Sequence, residues 1–222
     1  MKMRVSILLL VGLLNGFMYL LGEESKSPRP IKVLFTAAII EDPNGSRQAC
    51  YIRNLQKLKQ YGCDVYVVES CQKGPTYLDK YCDHVCYTQS NNPAETKSNN
   101  EINSMLIGMR YFNFDSDDMI IKVTGRYVLE DNQFILFVQA NLDADVIARI
   151  WCGFDAYAGC FAIKLNQFIN LVDHYHHVYN TESRIYCFEH ALGNYISLNK
   201  NYLHIAPIPR LYDYLPDCLG RI

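Results

Sequence analysis

The sequence predicts one α/β domain whose mainly parallel or mixed sheet is flanked by helices, placed after an N-terminal export segment. Two observations carry the fold class. Apolar runs of strand length, such as IKVLFTAAII from Ile31 to Ile40, are bounded by turn residues, here EDPNGS. Segments of helical periodicity lie between them with short joints, and the order strand, helix, strand, strand, helix, strand is that of βαβ units.

From Ser46 the spacing predicts a helix with Ile52, Leu55 and Leu58 on one face, stopped at Gly62, where a left-handed residue belongs. CDVYVVES (63–70) is the second strand, and HVCYTQ (84–89) a third, reached through an irregular stretch rich in Tyr, Lys and Asp. In KSNNEINSMLIGMRYFNF (97–114), Ile102, Met105, Leu106, Met109 and Phe112 recur at helical spacing. Ser98-x-x-Glu101 has the form of a capping box, which accounts for Glu101 without any role at a site. DMIIKVTGRY (118–127) is the next strand. ADVIARIW (144–151) and GCFAIKL (159–165) are strands around CGFDAYA, a hairpin or an excursion from the parallel sheet. A helix from about Asn166 carries Phe168, Leu171, Val172, Tyr175 and Val178 on one stripe, and a second centres on CFEHALGNYISL (187–198). YLHIAPI (202–208) closes as a short strand, with residues 209–222 as a tail.

Composition bounds the location and the partners. Lys plus Arg number 21 against 23 Asp plus Glu, a net charge of -2 with no electrostatic footprint for DNA or RNA. Lys2 and Arg4 precede an apolar run from Val5 to about Leu21, so residues 1–22 read as a signal peptide or a signal anchor, residues 23–30 as a linker and 31–222 as the domain. That places the domain outside the cytosol, in the secretory pathway, as a secreted protein or a lumenal single-pass one that meets the membrane through the uncleaved segment. All nine cysteines follow this segment, and an oxidising compartment favours disulfides among them, with at least one thiol left over. Cys82-x3-Cys86 has no second pair at ligand spacing and reads as structural. Asn44-Gly45-Ser46 is an N-glycosylation sequon in the loop after the first strand.

Within the apolar run Met119 to Val123, Lys122 breaks the rule that strands covered on both faces are apolar throughout. A lysine is almost never fully buried unless it is paired. Gly125 permits a sharp turn and Arg126 follows it, at the carboxyl end of a strand, where open α/β sheets bind ligands. A point charge, a planar fork and a close-approaching backbone suit phosphate oxygens, so Lys122, Thr124, Gly125 and Arg126 form an expected anion site. The alternative is that Lys122 satisfies a core carboxylate and Arg126 is an ordinary surface residue.

The strand IKVLFTAAI, the Asn-rich lead into NEINSMLIGMRYF and then DDMIIKVTGRYVL together resemble GT-A-type glycosyltransferases with a K-x-[ST]-G-R-Y segment, over roughly Ile31 to Leu165. The resemblance implies a GT-A-like domain, a nucleotide-diphosphate-sugar donor at the carboxyl edge of the sheet and a glycan, lipid or protein acceptor. It also implies an Asp-x-Asp at the end of the strand that meets the donor, where Mn2+ or Mg2+ bridges the diphosphate. The two such triplets, Asp115 to Asp117 and Asp143 to Asp145, precede strands instead, which places them at the opposite edge as solvated turns. Lys122 and Arg126 are therefore expected to neutralise the diphosphate partly or wholly in place of a metal, while Glu101 is within reach of a ribose or the lysine.

Inverting transfer needs a group to take the acceptor proton. The candidates are Asp155, in a Gly-bounded loop, and Glu189, which is similar in its late-helix placement to the base of GT-A enzymes. His174 and His177 stand one helical turn apart but, with His176, lie off the apolar stripe and read as solvated. The competing functional class is an exported, non-catalytic binding or interaction protein on a degenerate glycosyltransferase scaffold; the misplaced triplets favour it and the cation pair opposes it.

Overall fold

The computed structural model describes residues 31–40, 45–150, 155–181, 187–198, 201–204 and 211–213, all within the unit Ile31–Ile222. The expected export segment and linker, Asn44 of the sequon, Cys152 and Cys218 lie outside them. The strands described are β1 (Lys32–Ala37), β2 (Asp64–Glu69), β3 (His84–Tyr87), β4 (Met119–Thr124), β5 (Tyr127–Leu129), β6 (Val146–Ala148), β7 (Cys160–Lys164), β8 (Tyr202–His204) and β9 (Leu211–Asp213). The helices are α1 (Ser46–Gln60), α2 (Lys97–Tyr111), α3 (Gln133–Gln139), α4 (Leu165–Thr181) and α5 (Phe188–Leu198).

Seven strands form one sheet in the order β3-β2-β1-β4-β7-β6-β8. β3, β2, β1 and β4 run parallel, β7 runs antiparallel to both β4 and β6, and β8 is parallel to β6. The sheet is thus mixed, with the β6–β7 hairpin as the expected excursion. Val33, Leu34 and Phe35 of β1 and Ile120, Ile121 and Val123 of β4 are fully buried, as strands covered on both faces must be. One face packs Tyr51, Leu55 and Leu58 of α1 with Phe134, Ile135 and Val138 of α3. The other packs Ile102 and Met105 of α2, Phe168 and Leu171 of α4 and Leu192 of α5.

Several elements differ from expectation. Helix α3 and the two-stranded ribbon β5–β9 were not predicted: α3 is a short run with little periodicity, and β9 is the distant partner of β5. The irregular stretch before β3 holds a 3-10 turn, Tyr77–Lys80, capped by Thr76 and Asp79. Ile52 is half-buried, and the buried stripe of α1 runs through Tyr51, Asn54, Leu55 and Leu58. The expected stop holds, since Gly62 has φ 75°. The expected disulfides are not formed among the described cysteines: no disulfide joins any two of Cys50, Cys63, Cys71, Cys82, Cys86, Cys160 and Cys187. Cys82 donates to the Val65 carbonyl at 3.1 Å, a structural role. Among the described residues no helix is long and apolar enough to cross a membrane.

Candidate functional site

The chain leaves β1 toward β2 and β3 on one side and returns to β4 on the other, so β1 and β4 flank a topological switch point. A crevice must open at their carboxyl ends. A cavity of about 380 Å³ lies there. Thr36 and Ala37 of β1, Thr124 and Arg126 around the end of β4, Arg47 and Tyr51 of α1 and Lys97 and Glu101 of α2 line it.

Its floor is an ion pair. Lys122 is fully buried, and its Nζ donates to Glu101 Oε1 at 2.6 Å, to Thr124 Oγ1 at 2.5 Å and to the Ala158 carbonyl at 2.6 Å. An ammonium has three N–H donors, and all three are used. Glu101 Oε1 also accepts from the hydroxyls of Thr124, at 3.2 Å, and Thr36, at 3.4 Å, two residues paired across β1 and β4.

This geometry corrects three expectations. Lys122 lies beneath the cavity and its donors are spent on the protein, so it is not placed as a phosphate ligand; the core-carboxylate alternative describes it. Glu101 is not the second half of a capping box: α2 begins two residues earlier, with Thr96 Oγ1 accepting from the Asn99 amide at 3.1 Å, which leaves the Glu101 carboxylate for Lys122. Gly125 does not offer its amide to a ligand, because that N–H donates to the Thr36 carbonyl at 2.9 Å. Glycine is required there because a Cβ would stand 2.7 Å from the rings of Phe35 and Tyr51. Thr124 does line the cavity, with its hydroxyl held between Lys122 and Glu101. Arg126 is exposed at the cavity wall, with its guanidinium 5.1 Å from the Tyr127 ring.

Sequence reasoning missed Arg47 and Lys97, which bring two further cations to the same wall; Arg47 also donates to the Ala38 carbonyl at 3.3 Å. It missed Glu69 as well. This buried carboxylate ends β2 and accepts from the amides of Ile39 at 2.7 Å and Gln72 at 2.5 Å, and from that of Cys71, fixing the loops that leave β1 and β2. The signal was the one that singled out Lys122, a charge in an apolar run.

Both proton-acceptor candidates reach this edge of the sheet. Asp155 Oδ1 is 2.7 Å from His190 Nδ1, a partner that sequence reasoning passed over. Glu189 is exposed in the first turn of α5, and its carbonyl accepts from the Ala156 amide at 3.0 Å. The Phe188 amide donates to Ser98 Oγ at 3.1 Å, which ties the start of α5 to the start of α2.

The acidic triplets sit at the opposite edge, as expected. Asp118, beside the first, pairs with Lys32 at the start of β1, and Asp145 pairs with Lys164 at 3.0 Å. Among the described residues no three His, Cys, Asp or Glu gather where a metal ion could be held, and Glu101, at the cavity, is already bound to Lys122. His176 and His177 are exposed; His174, contrary to expectation, is half-buried near the Tyr195 ring, and burial lowers its pKa.

No protein-family model and no curated protein matches the sequence. Solved glycosyltransferases resemble the fold. The bifunctional glycosyltransferase WbbM matches 79% of this chain and 38% of its own at 11% identity, with a TM-score of 0.50. The glycosyltransferase GlyE of Streptococcus pneumoniae TIGR4 matches 79% of this chain and 45% of its own at 14% identity and TM-score 0.48. The galactosyltransferase LgtC, solved with donor and acceptor sugar analogues, matches 78% and 73% at 10% identity and TM-score 0.48. This chain thus spans less than half the length of WbbM or GlyE. The likeness to WbbM shows a glycosyltransferase-type α/β fold.

Proposed function

We propose that the chain binds a nucleotide-diphosphate sugar in the cavity between β1 and β4 and transfers the sugar to a glycan, lipid or protein acceptor. The observation that carries the reading is the convergence of Arg47, Lys97 and Arg126 on a cavity of about 380 Å³ at the switch point. Cavities of ~300 to 1,000 Å³ hold small ligands. In this reading Arg126, Arg47 and Lys97 meet the diphosphate, while Thr124 and Glu101 form the polar floor that Lys122 locks from below. Asp155 and Glu189 supply the acceptor side. Charge-assisted hydrogen bonds of ~1.5 to 3 kcal/mol each would give the diphosphate its affinity.

A thermal-shift screen with UDP, GDP, CMP and their sugars is the test, since a ligand that binds the folded state raises its melting temperature by mass action. Stabilisation by one nucleotide family is expected; no response to any of them removes the reading. The second reading, a non-catalytic binding protein, draws on both acidic triplets lying at the far edge from the cavity. Nucleotide binding without donor hydrolysis would select it.

A further inference from the structure

Asp155 and His190 meet across two separate elements, the loop entering β7 and the first turn of α5, with Oδ1 and Nδ1 2.7 Å apart and both side chains part-exposed, at 37% and 43%. The elements that carry them are fixed. The Phe188 ring packs against Phe161 at 5.9 Å, the Ala156 amide binds the Glu189 carbonyl, and the Phe188 amide binds Ser98. Three residues beyond Asp155, the Ala158 carbonyl accepts from Lys122, so the same loop is bonded to the cavity floor. A carboxylate on Nδ1 selects the tautomer in which Nδ1 carries the proton and Nε2 is the basic nitrogen, and it holds the ring in one orientation. Glu189, one residue away, is exposed, and its backbone carbonyl is what meets the loop.

We infer that His190, oriented by Asp155, takes the proton from the hydroxyl that attacks the donor sugar; this rests on the donor-site reading above. As the acceptor oxygen forms its bond to the anomeric carbon, the hydroxyl proton passes to His190 Nε2. The bond from that carbon to the diphosphate breaks, and its electron pair leaves with the nucleoside diphosphate. The imidazolium faces the Asp155 carboxylate until it returns the proton to water. Direct displacement inverts the anomeric centre. Asp155 is then a positioning residue, and Glu189 the competitor for the proton.

The test uses the full chain and UDP-glucose, UDP-galactose and GDP-mannose, with water as the acceptor. Hydrolysis is followed by release of UDP or GDP, the affinity of each nucleotide by calorimetry, and the imidazole tautomer by nitrogen NMR. His190→Gln is expected to slow hydrolysis ~100-fold or more, the scale of general base catalysis, with nucleotide affinity unchanged. Asp155→Asn is expected to slow it less and to convert the single Nδ1–H tautomer of His190 into a mixture. His177→Gln, on exposed α4 surface, should match the native chain. A wild-type rate in His190→Gln, a larger loss in Glu189→Gln, a retained anomeric configuration, or an Nε2–H tautomer in the native chain overturns the proposal and leaves the donor site standing. Failure of the native chain to bind any of the nucleotides removes the donor-site reading first.

Discussion

At the amino ends of β1 and β4, Lys32 pairs with Asp118, and where β7 ends Lys164 pairs with Asp145, with all four side chains 18% to 28% exposed. At the carboxyl end of β4 the Lys122 side chain is 1% exposed and meets Glu101, which is 28% exposed at a cavity wall. All three pairs join a lysine to a carboxylate, yet they do different work. Water reaches both members of each part-exposed pair and can replace either, so such pairs add little stability. A sealed ammonium has no substitute for its carboxylate, and losing that partner strands a charge in a low dielectric. The carboxyl edge therefore depends on its ion pair for its shape, and the amino edge does not.

The largest expected effect breaks this contrast directly. Glu101→Ala should cost ~3 to 5 kcal/mol in urea unfolding, because it strands Lys122, whereas Asp118→Ala should cost less than ~1 kcal/mol. Similar losses at the two edges would erase the distinction. Binding supplies the next effect: Arg126→Ala should weaken UDP ~10- to 100-fold, the equivalent of ~1.5 to 3 kcal/mol, and Lys164→Ala, at the other edge, should leave calorimetric affinity unchanged. Gly125→Ala should then cost ~1 to 3 kcal/mol, since its Cβ meets two packed rings, while Gly74→Ala, with open space around it, should fall within ~0.5 kcal/mol.

Smaller still is a response to alkali. Burial pushes the Cys63 and Cys160 thiols up to about 12, from 9.0. The folded state holds these protons more tightly than the unfolded one. That stability is fully present below pH 9 and is lost as pH rises from 9 toward 12. A fall in melting temperature across that window is expected, and a flat profile would show that these thiols are reached by solvent. The smallest effect is a null one: EDTA should leave UDP affinity unchanged if arginine and lysine carry the diphosphate, and a marked loss would place a cation in that role.

Most of the central sheet was readable because parallel strands buried on both faces must be apolar runs, and β1, β2 and β4 are. The α4 stripe was readable for the same reason, since Phe168, Leu171 and Tyr175 are fully buried. Ribbon β5–β9 was not, because its pairing joins distant segments and three-residue strands carry almost no pattern. At the site, Lys122 stood out as a charge in an apolar strand, but residue types do not say whether such a charge faces a ligand or the core. Glu101 was hidden by an apparent cap that Thr96 in fact provides. Arg47 and Lys97 lie on helices distant in sequence, and nothing local marks either as a neighbour of Arg126. His190 was passed over beside Glu189 because its significance comes from Asp155, which only the fold brings near.

The ribbon gives the strand that leaves Arg126 its own clasp: Tyr127 lies against Asp213, Val128 against Tyr212 and Leu129 against Leu211. A chain shortened just before Leu211 would unfasten β5 and, through it, the arginine at the cavity wall. Truncation at that point should therefore blunt nucleotide binding without removing any of the described residues that line the cavity.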